Sequence, residues 1–171
     1  MKIFNKFLIF ITILVLNAGI FTGCGINAAD CIAIVRDGHF NSNPSIKIGN
    51  AFDQYFKNGQ WKAFKATDDT DVVEFTGEFA WKPEIVTAIA RDERLFEKFL
   101  NAVKPLKSFI NNPNIQQSAH IYIQFILNEN EYGNFIFNVQ QMEIEGIAVN
   151  DRVLKVVITN VLNEYKPISS K

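Results

Sequence analysis

The chain has 171 residues, of which 48% are hydrophobic and 20% charged, and its formal net charge is −1. This composition is that of a folded globular protein and excludes an intrinsically disordered chain. Basic and acidic residues nearly balance, so nucleic acid, which needs a clustered basic surface, is not an expected partner.

The N-terminal segment has the pattern of an export signal. Lys2 and Lys6 form a short positive region, and residues 7–21 are almost entirely apolar. A run of about 15 residues is shorter than the ~20 that a bilayer-spanning helix needs, but it suits the apolar part of a signal peptide. We therefore predict a signal peptide over residues 1–23.

Cys24 follows this segment directly, with Gly23 before it. The arrangement resembles the lipobox of bacterial lipoproteins, in which the signal is removed and the cysteine becomes a lipid-modified N-terminus. Phe21 departs from the leucine that usually stands three positions before the cysteine. Two alternatives stay open: cleavage after Ala29, which would release a soluble protein, and retention of the signal as a membrane anchor.

Lipidation of Cys24 would place the protein in the bacterial cell envelope. Buried acyl chains hold a protein firmly to a membrane. The residue after the cysteine is Gly25 rather than aspartate, which favours the outer membrane if the host is Gram-negative. Residues 24–30 would then be a tether between the lipid and a single domain over residues 31–171.

Cys31 is the second of two cysteines. If Cys24 carries a lipid, it is lost to disulfide chemistry, and Cys31 is left alone in an oxidising compartment. It is then either a reactive thiol or intermolecular bridge, or a small buried residue. Its apolar neighbours favour burial.

The first elements of the domain are indicated by hydrophobic spacing. Residues 31–35 are an apolar run, typical of a short strand or a helical turn. Ser45 is a candidate N-cap for a helix that ends at Gly59. The apolar stripe of this helix consists of Ile48, Ala51, Phe52, Tyr55 and Phe56.

The next segment combines a hairpin with a long helix. Residues 61–66 and 72–79 alternate between apolar and polar side chains, which predicts two paired strands. Pro83 suits the first turn of a second helix, and Pro105 ends or kinks it.

A second hairpin and a last helix complete the domain. Residues 120–127 are the clearest strand, residues 135–144 pair back on them, and Asp151 caps the final helix. The fold class is therefore α+β. We expect about four antiparallel strands in one sheet, helices mainly on one face, and a helical insert over residues 80–114 between the hairpins.

Several short segments carry a resemblance to a known family. They are Ile34-Val35-Arg36-Asp37-Gly38, Ile48-Gly49-Asn50-Ala51-Phe52, Trp61-Lys62-Ala63-Phe64, Val72-Val73-Glu74-Phe75-Thr76-Gly77, Tyr122-Ile123-Gln124-Phe125 and Leu162-Asn163-Glu164-Tyr165. With them the chain resembles a family of uncharacterised bacterial envelope lipoproteins. The resemblance covers residues 31–79 and 118–166.

The resemblance implies a helix-on-antiparallel-sheet fold. Such a fold is similar to that of the β-lactamase-inhibitor proteins and of small lipoproteins that assist outer-membrane barrel assembly. Those proteins work by binding other proteins. The family has no established activity, so it supplies no functional residues for this chain.

Catalytic and metal-binding patterns do not stand out. His39 and His120 have no Cys, His or Glu partner at a spacing that suits a metal ion. The acidic turn at 68–71 lacks the glycine and the distal glutamate of an EF-hand loop. The sequence has no Gly-x-Ser-x-Gly motif and no glycine-rich phosphate loop. We therefore expect neither an enzyme nor a cofactor.

The leading prediction is a lipid-anchored binding module that contacts another envelope protein. Its contact surface is expected on the outward side of the second hairpin, at Tyr122, Gln124, Ile126, Ile136 and Met142. Exposed apolar residues often mark interfaces, but these would be a second core layer if the insert covered them. The alternatives are an inhibitor of an exported enzyme and, after it, a small envelope enzyme.

Overall fold

The computed structural model describes residues 27–112 and 117–167, without the side chain of Pro105. The predicted signal peptide and Cys24 lie outside the described residues. The elements in chain order are α1 (Ala28–Asp37), α2 (Ile48–Tyr55), β1 (Lys57–Lys65), β2 (Asp71–Ala80), α3 (Pro83–Ala90), α4 (Glu93–Ala102), α5 (Lys104–Asn111), β3 (Ser118–Glu129), β4 (Phe135–Ile144), β5 (Ile147–Ala148) and α6 (Asp151–Glu164).

The strands form one antiparallel sheet in the order β1-β2-β3-β4-β5. This confirms the α+β class and both predicted hairpins. The sheet has one strand more than the four expected, because Glu145 and Gly146 adopt φ values of 53° and 72° and turn the chain back at once. The resulting β5 pairs only with Glu143 and Ile144.

The core lies between one face of the sheet and the helices. Alternation along β2 and β3 points every second side chain inward, and the buried inward residues include Val73, Phe75, Phe79, Ile121, Ile123 and Phe125. The helices supply the other half of the core, including Val35, Phe52, Ile89, Phe99, Leu106 and Val157. Helices therefore cover one face of the sheet, as expected.

The insert between the hairpins consists of three short helices rather than one long helix. The chain breaks after α3, and Asp92 caps α4 by accepting a hydrogen bond from the Leu95 N–H at 3.1 Å. Asp92 also accepts from the Asn150 side chain at 3.1 Å. Asn150, rather than the expected Asp151, is the N-cap of α6. The two caps thus join the starts of two helices.

The bounds of the first two helices differ from those predicted. Asn27 caps α1, so residues 28–30 form its first turn instead of a tether, and residues 31–35 are helical. α2 begins after Lys47 and ends at Tyr55, because Phe56 already has an extended backbone. Gly59 therefore lies in β1, where the register with β2 is irregular.

α1 and α2 cross where Gly49 lies against Arg36. A Cβ atom at Gly49 would be 2.9 Å from Arg36 Cβ and 3.1 Å from the Arg36 carbonyl oxygen. Close approach here lets the Arg36 guanidinium reach both Asp53, through bonds of 2.6 and 3.1 Å, and the ring of Trp61, whose centroid is 5.5 Å away. The crossing thereby fixes both helices against β1.

Replacing Gly49 with valine should lower the free energy of unfolding by about 1–3 kcal/mol, because the branched side chain has no space at the crossing. Urea denaturation of the purified domain measures this difference. Asn50→Val is the matched control, since Asn50 is exposed in the same helix and should change stability much less. Equal effects of the two substitutions would contradict the close crossing.

Candidate functional site: the open face of the sheet

The face of the sheet opposite the helices is the candidate site, and we call it the open face. It is formed by the outward residues of four strands: Gln60, Lys62, Phe64, Val72, Glu74, Thr76, Glu78, His120, Tyr122, Gln124, Ile126, Asn128, Ile136, Asn138, Gln141 and Glu143. Its position follows from the strand alternation that directs the other side chains into the core.

The helical insert does not cover this face. The insert residues Ile85, Leu95 and Phe99 belong to the hydrophobic core on the other side of the sheet. The open-face residues Phe64, Ile126 and Ile136 do not belong to that core. The outward apolar residues are therefore not a second core layer beneath the insert.

One end of the open face is apolar. Phe64, Val72 and Ile126 stand side by side on β1, β2 and β3. Val72 is only 4% exposed although it lies outside the main core, because its two cross-strand neighbours flank it. Ile136 is 49% exposed at the same end of the sheet, opposite Asn128. Apolar side chains in this arrangement offer a surface that a partner could bury.

The centre of the open face is a hydrogen-bonded polar network. The Tyr122 hydroxyl donates to Glu74 Oε1 at 2.5 Å and accepts from Gln124 Nε2 at 3.1 Å. On the neighbouring strand, Gln141 Nε2 donates to Glu143 Oε1 at 2.5 Å. These bonds hold the side chains in fixed directions across β2, β3 and β4.

Tyr122 stays protonated in this network. Partial burial raises the pKa of its phenol, and the hydrogen bond to Glu74 and the charges of Glu74 and Glu143 raise it further. A phenol with a raised pKa serves as a hydrogen-bond donor at neutral pH rather than as a base. The network is therefore suited to orienting polar contacts.

A shallow depression of about 550 Å³ lies beside Tyr122. Its lining comes from β1 to β4 and the turn before β5, and includes Gln60, Thr76, Glu78, His120, Gln141 and Glu143. The depression is wide, most of the residues that line it are polar, and none of them belongs to a described helix. It can receive a protruding polar side chain of a partner.

The expected contact residues fall into two groups. Tyr122, Gln124 and Ile126 are half-buried on the open face and Ile136 is exposed there, as the alternation predicted. The placement of Met142 was wrong: this residue is 2% exposed and belongs to the core.

A β-bulge explains the error at Met142. Gln124 pairs with Gln141 but Phe125 pairs with Val139, so Gln140 is an extra residue on β4. One extra residue moves every following side chain to the opposite face. Met142 and Ile144 therefore point inward, whereas Gln141 and Glu143 point outward. Simple alternation in the sequence gives no sign of this shift.

Sequence reasoning missed Glu74 and Glu143 as neighbours of Tyr122, and it missed Phe64 as a member of the row that contains Ile126. The alternation along β2 did place Glu74 on the outward side of its own strand. Which outward residues share a row depends on the register between β1, β2 and β3, and that register is visible only in the structure.

The other singled-out residues lie away from the open face or at its border. Cys31 is fully buried, as its apolar neighbours indicated. No described cysteine is a free thiol, so the interpretation of Cys31 as a reactive thiol is wrong. The backbone of His120 bonds with Glu145 at the sheet margin. Asp68 accepts from the Thr70 N–H at 3.2 Å and stabilises the turn between β1 and β2.

Within 27–112 and 117–167, no three His, Cys, Asp or Glu side chains are grouped so that they could hold a metal ion. In these ranges, too, no helix is both long and apolar enough to cross a membrane.

Comparison of the chain with protein-family models, with curated proteins and with solved structures finds no match. The resemblance to envelope lipoproteins therefore stays a prediction.

The inward position of Met142 can be tested by truncation. Met142→Ala should lower the free energy of unfolding by about 2–5 kcal/mol, because it leaves a cavity in the core. Ile136→Ala, on the same strand but exposed, should change it by no more than about 0.5 kcal/mol. Chemical denaturation of both variants gives the values, and a larger loss at Ile136 would place the bulge elsewhere.

Proposed function

We propose that this protein is a lipid-anchored lipoprotein of the bacterial cell envelope that binds another envelope protein through the open face. The observation that carries the proposal is a broad sheet face that none of the described helices covers, with an apolar end beside a depression lined mainly by polar residues. The proposal assigns no catalytic step to the protein.

The mixed character of the open face supports binding to a protein. The exposed apolar end supplies surface whose burial stabilises a complex, at roughly 25 cal/mol per Å². The network around Tyr122 supplies oriented donors and acceptors, which give a complex specificity. Apolar surface beside oriented polar groups is the usual composition of protein interfaces.

The position of α1 is compatible with a membrane tether. Asn27 is the first described residue and the N-cap of α1. α1 packs on the helix-covered side of the sheet, where Arg36 lies over the ring of Trp61. Cys24 precedes Asn27 by three residues in the sequence. A lipid at Cys24 would hold the covered side close to the membrane and leave the open face accessible.

The anchor is tested by expression of the full chain in a bacterial host beside Cys24→Ala. The native protein should lose residues 1–23, gain the mass of a diacylglyceryl group and partition into the membrane fraction. The variant should keep its signal, because the lipoprotein pathway requires the cysteine. Intact mass and fractionation measure both properties. A soluble native product without lipid, or one whose Cys24 is in a disulfide with Cys31, would contradict lipidation.

The open face is tested by a photo-activatable residue placed at Gln124 or at Ile126 in envelope preparations. Both positions should capture the same discrete protein, because both lie at the centre of the proposed interface. Asn163 is the control, since it is exposed on α6, on the helix side. Capture of that protein from Asn163 but not from β3 would overturn the assignment of the face.

A further inference from the structure

The strand β4 leaves most of one sheet edge unpaired. β5 covers only Glu143 and Ile144, so the segment Phe135–Val139 borders no further strand in the described part of the chain. Such an edge presents free N–H and C=O groups, and a protein usually protects it with charges, prolines or bulges. The two edges of this sheet differ in such protection.

The β1 edge carries charges, whereas the part of the β4 edge before the bulge, Phe135–Val139, carries none. β1 carries three lysines and an irregular register near Asn58, whose φ is 53°. β4 from Phe135 to Met142 reads Phe-Ile-Phe-Asn-Val-Gln-Gln-Met and contains neither a charge nor a proline. Ile136 is also one of the few large apolar side chains that the described structure leaves exposed.

The hydrogen-bond pattern shows which backbone groups of β4 are free. At the hairpin end, the Asn130 N–H donates to the Asn134 carbonyl at 2.9 Å, and antiparallel pairs alternate from there. The N–H and C=O groups of Phe135, Phe137 and Val139 therefore point away from β3. Beyond the bulge, the Met142 carbonyl points away from β3 and accepts a hydrogen bond from the Val149 N–H at 3.0 Å. The carbonyl of an even-numbered residue now points outward because the bulge inserts one extra residue into β4.

We propose that β4 pairs antiparallel with β4 of a second copy of this chain, centred on Phe137. In this register Phe137 faces Phe137 of the second copy, and Phe135 faces Val139 of the second copy. The outward N–H and C=O groups of these three residues then bond with the same groups of the second copy. Ile136 then faces Asn138 of the second copy. The contact is isologous, so the two copies close into a dimer.

Charge favours a second copy as the occupant. An antiparallel pair of identical strands brings each residue against another from the same segment, and like charges directly opposite one another destabilise a sheet. Phe135–Val139 has no charge, so it can face itself without repulsion. β1, with lysines at 57, 62 and 65, is the less suitable edge for self-pairing.

The proposed contact is small. Five residues from each copy pair, whereas a standard protein interface has about 20–30 residues a side. A weak dimer calls for covalent trapping rather than for isolation of the complex. Ile136 and Asn138 suit trapping, because opposed residues without mutual hydrogen bonds have Cα atoms about 4.5 Å apart, within the range of a disulfide.

The experiment co-expresses two differently tagged full-length copies, one carrying Ile136→Cys and the other Asn138→Cys, under mild oxidation. The mixed pair should form a disulfide-linked dimer severalfold more than either variant paired with itself. Same-variant cysteines are diagonal neighbours about 7–8 Å apart and do not meet disulfide geometry. The chain without these substitutions gives the background from Cys24 and Cys31.

The matched control places cysteines at Gln60 and Lys62 in separate copies, on the protected edge strand β1. This pair should remain at background. Equal linkage of same-variant and mixed pairs, linkage through β1 to the same extent, or no linkage at all would overturn the proposal. The test does not depend on the open face or on the lipid, so its failure would leave the proposed function standing.

Discussion

The packing of Phe52 against the inward face of the sheet is the interaction on which the rest of the structure depends. Its ring is fully buried and lies 4.8 Å from Phe75, 5.2 Å from Phe56 and 5.6 Å from Trp61, measured between ring centroids. A helix, the turn after it and both strands of the first hairpin thus meet at one side chain. Aromatic groups that meet at such distances stabilise a core beyond the burial of their area.

The aromatic rings of the core determine where the backbone must approach a side chain closely. Gly77 lies beside the ring of Phe75, and Gly38 lies beside that of Phe137, where a Cβ atom would be 2.3 Å away. With Gly49 at the helix crossing, these glycines give a packing role to three of the six segments that carry the family resemblance. Three of the segments also supply outward residues to the open face, among them Phe64, Glu74 and Tyr122.

Covering one face of a sheet leaves the other face to water. On this open face the side chains of Tyr122, Glu74 and Gln124 form hydrogen bonds with one another. Its apolar end and the uncharged edge of β4 lie at the same end of the sheet. The bulge at Gln140 lies between this end and the part of β4 that pairs with β5. It turns the Met142 side chain into the core, and it limits the length of the free edge.

The sequence by itself determined the class of fold, the two hairpins and the inward sets of β2 and β3. It could do so because alternation and helical spacing are local signals, and because Pro83 and the turn residues mark where elements begin and end. It also determined the N-terminal pattern that ends in Cys24, which requires no tertiary contact to recognise.

Only the tertiary structure decided which residues share the open face. The row of Phe64, Val72 and Ile126 and the bond between Tyr122 and Glu74 depend on the register between strands, and register is set by long-range pairing. The bulge that moved Met142 inward, the early end of α2 and the break at Asp92 depend on how each segment packs on the core. Periodicity along one segment contains no information about such contacts, because they join residues far apart in the chain.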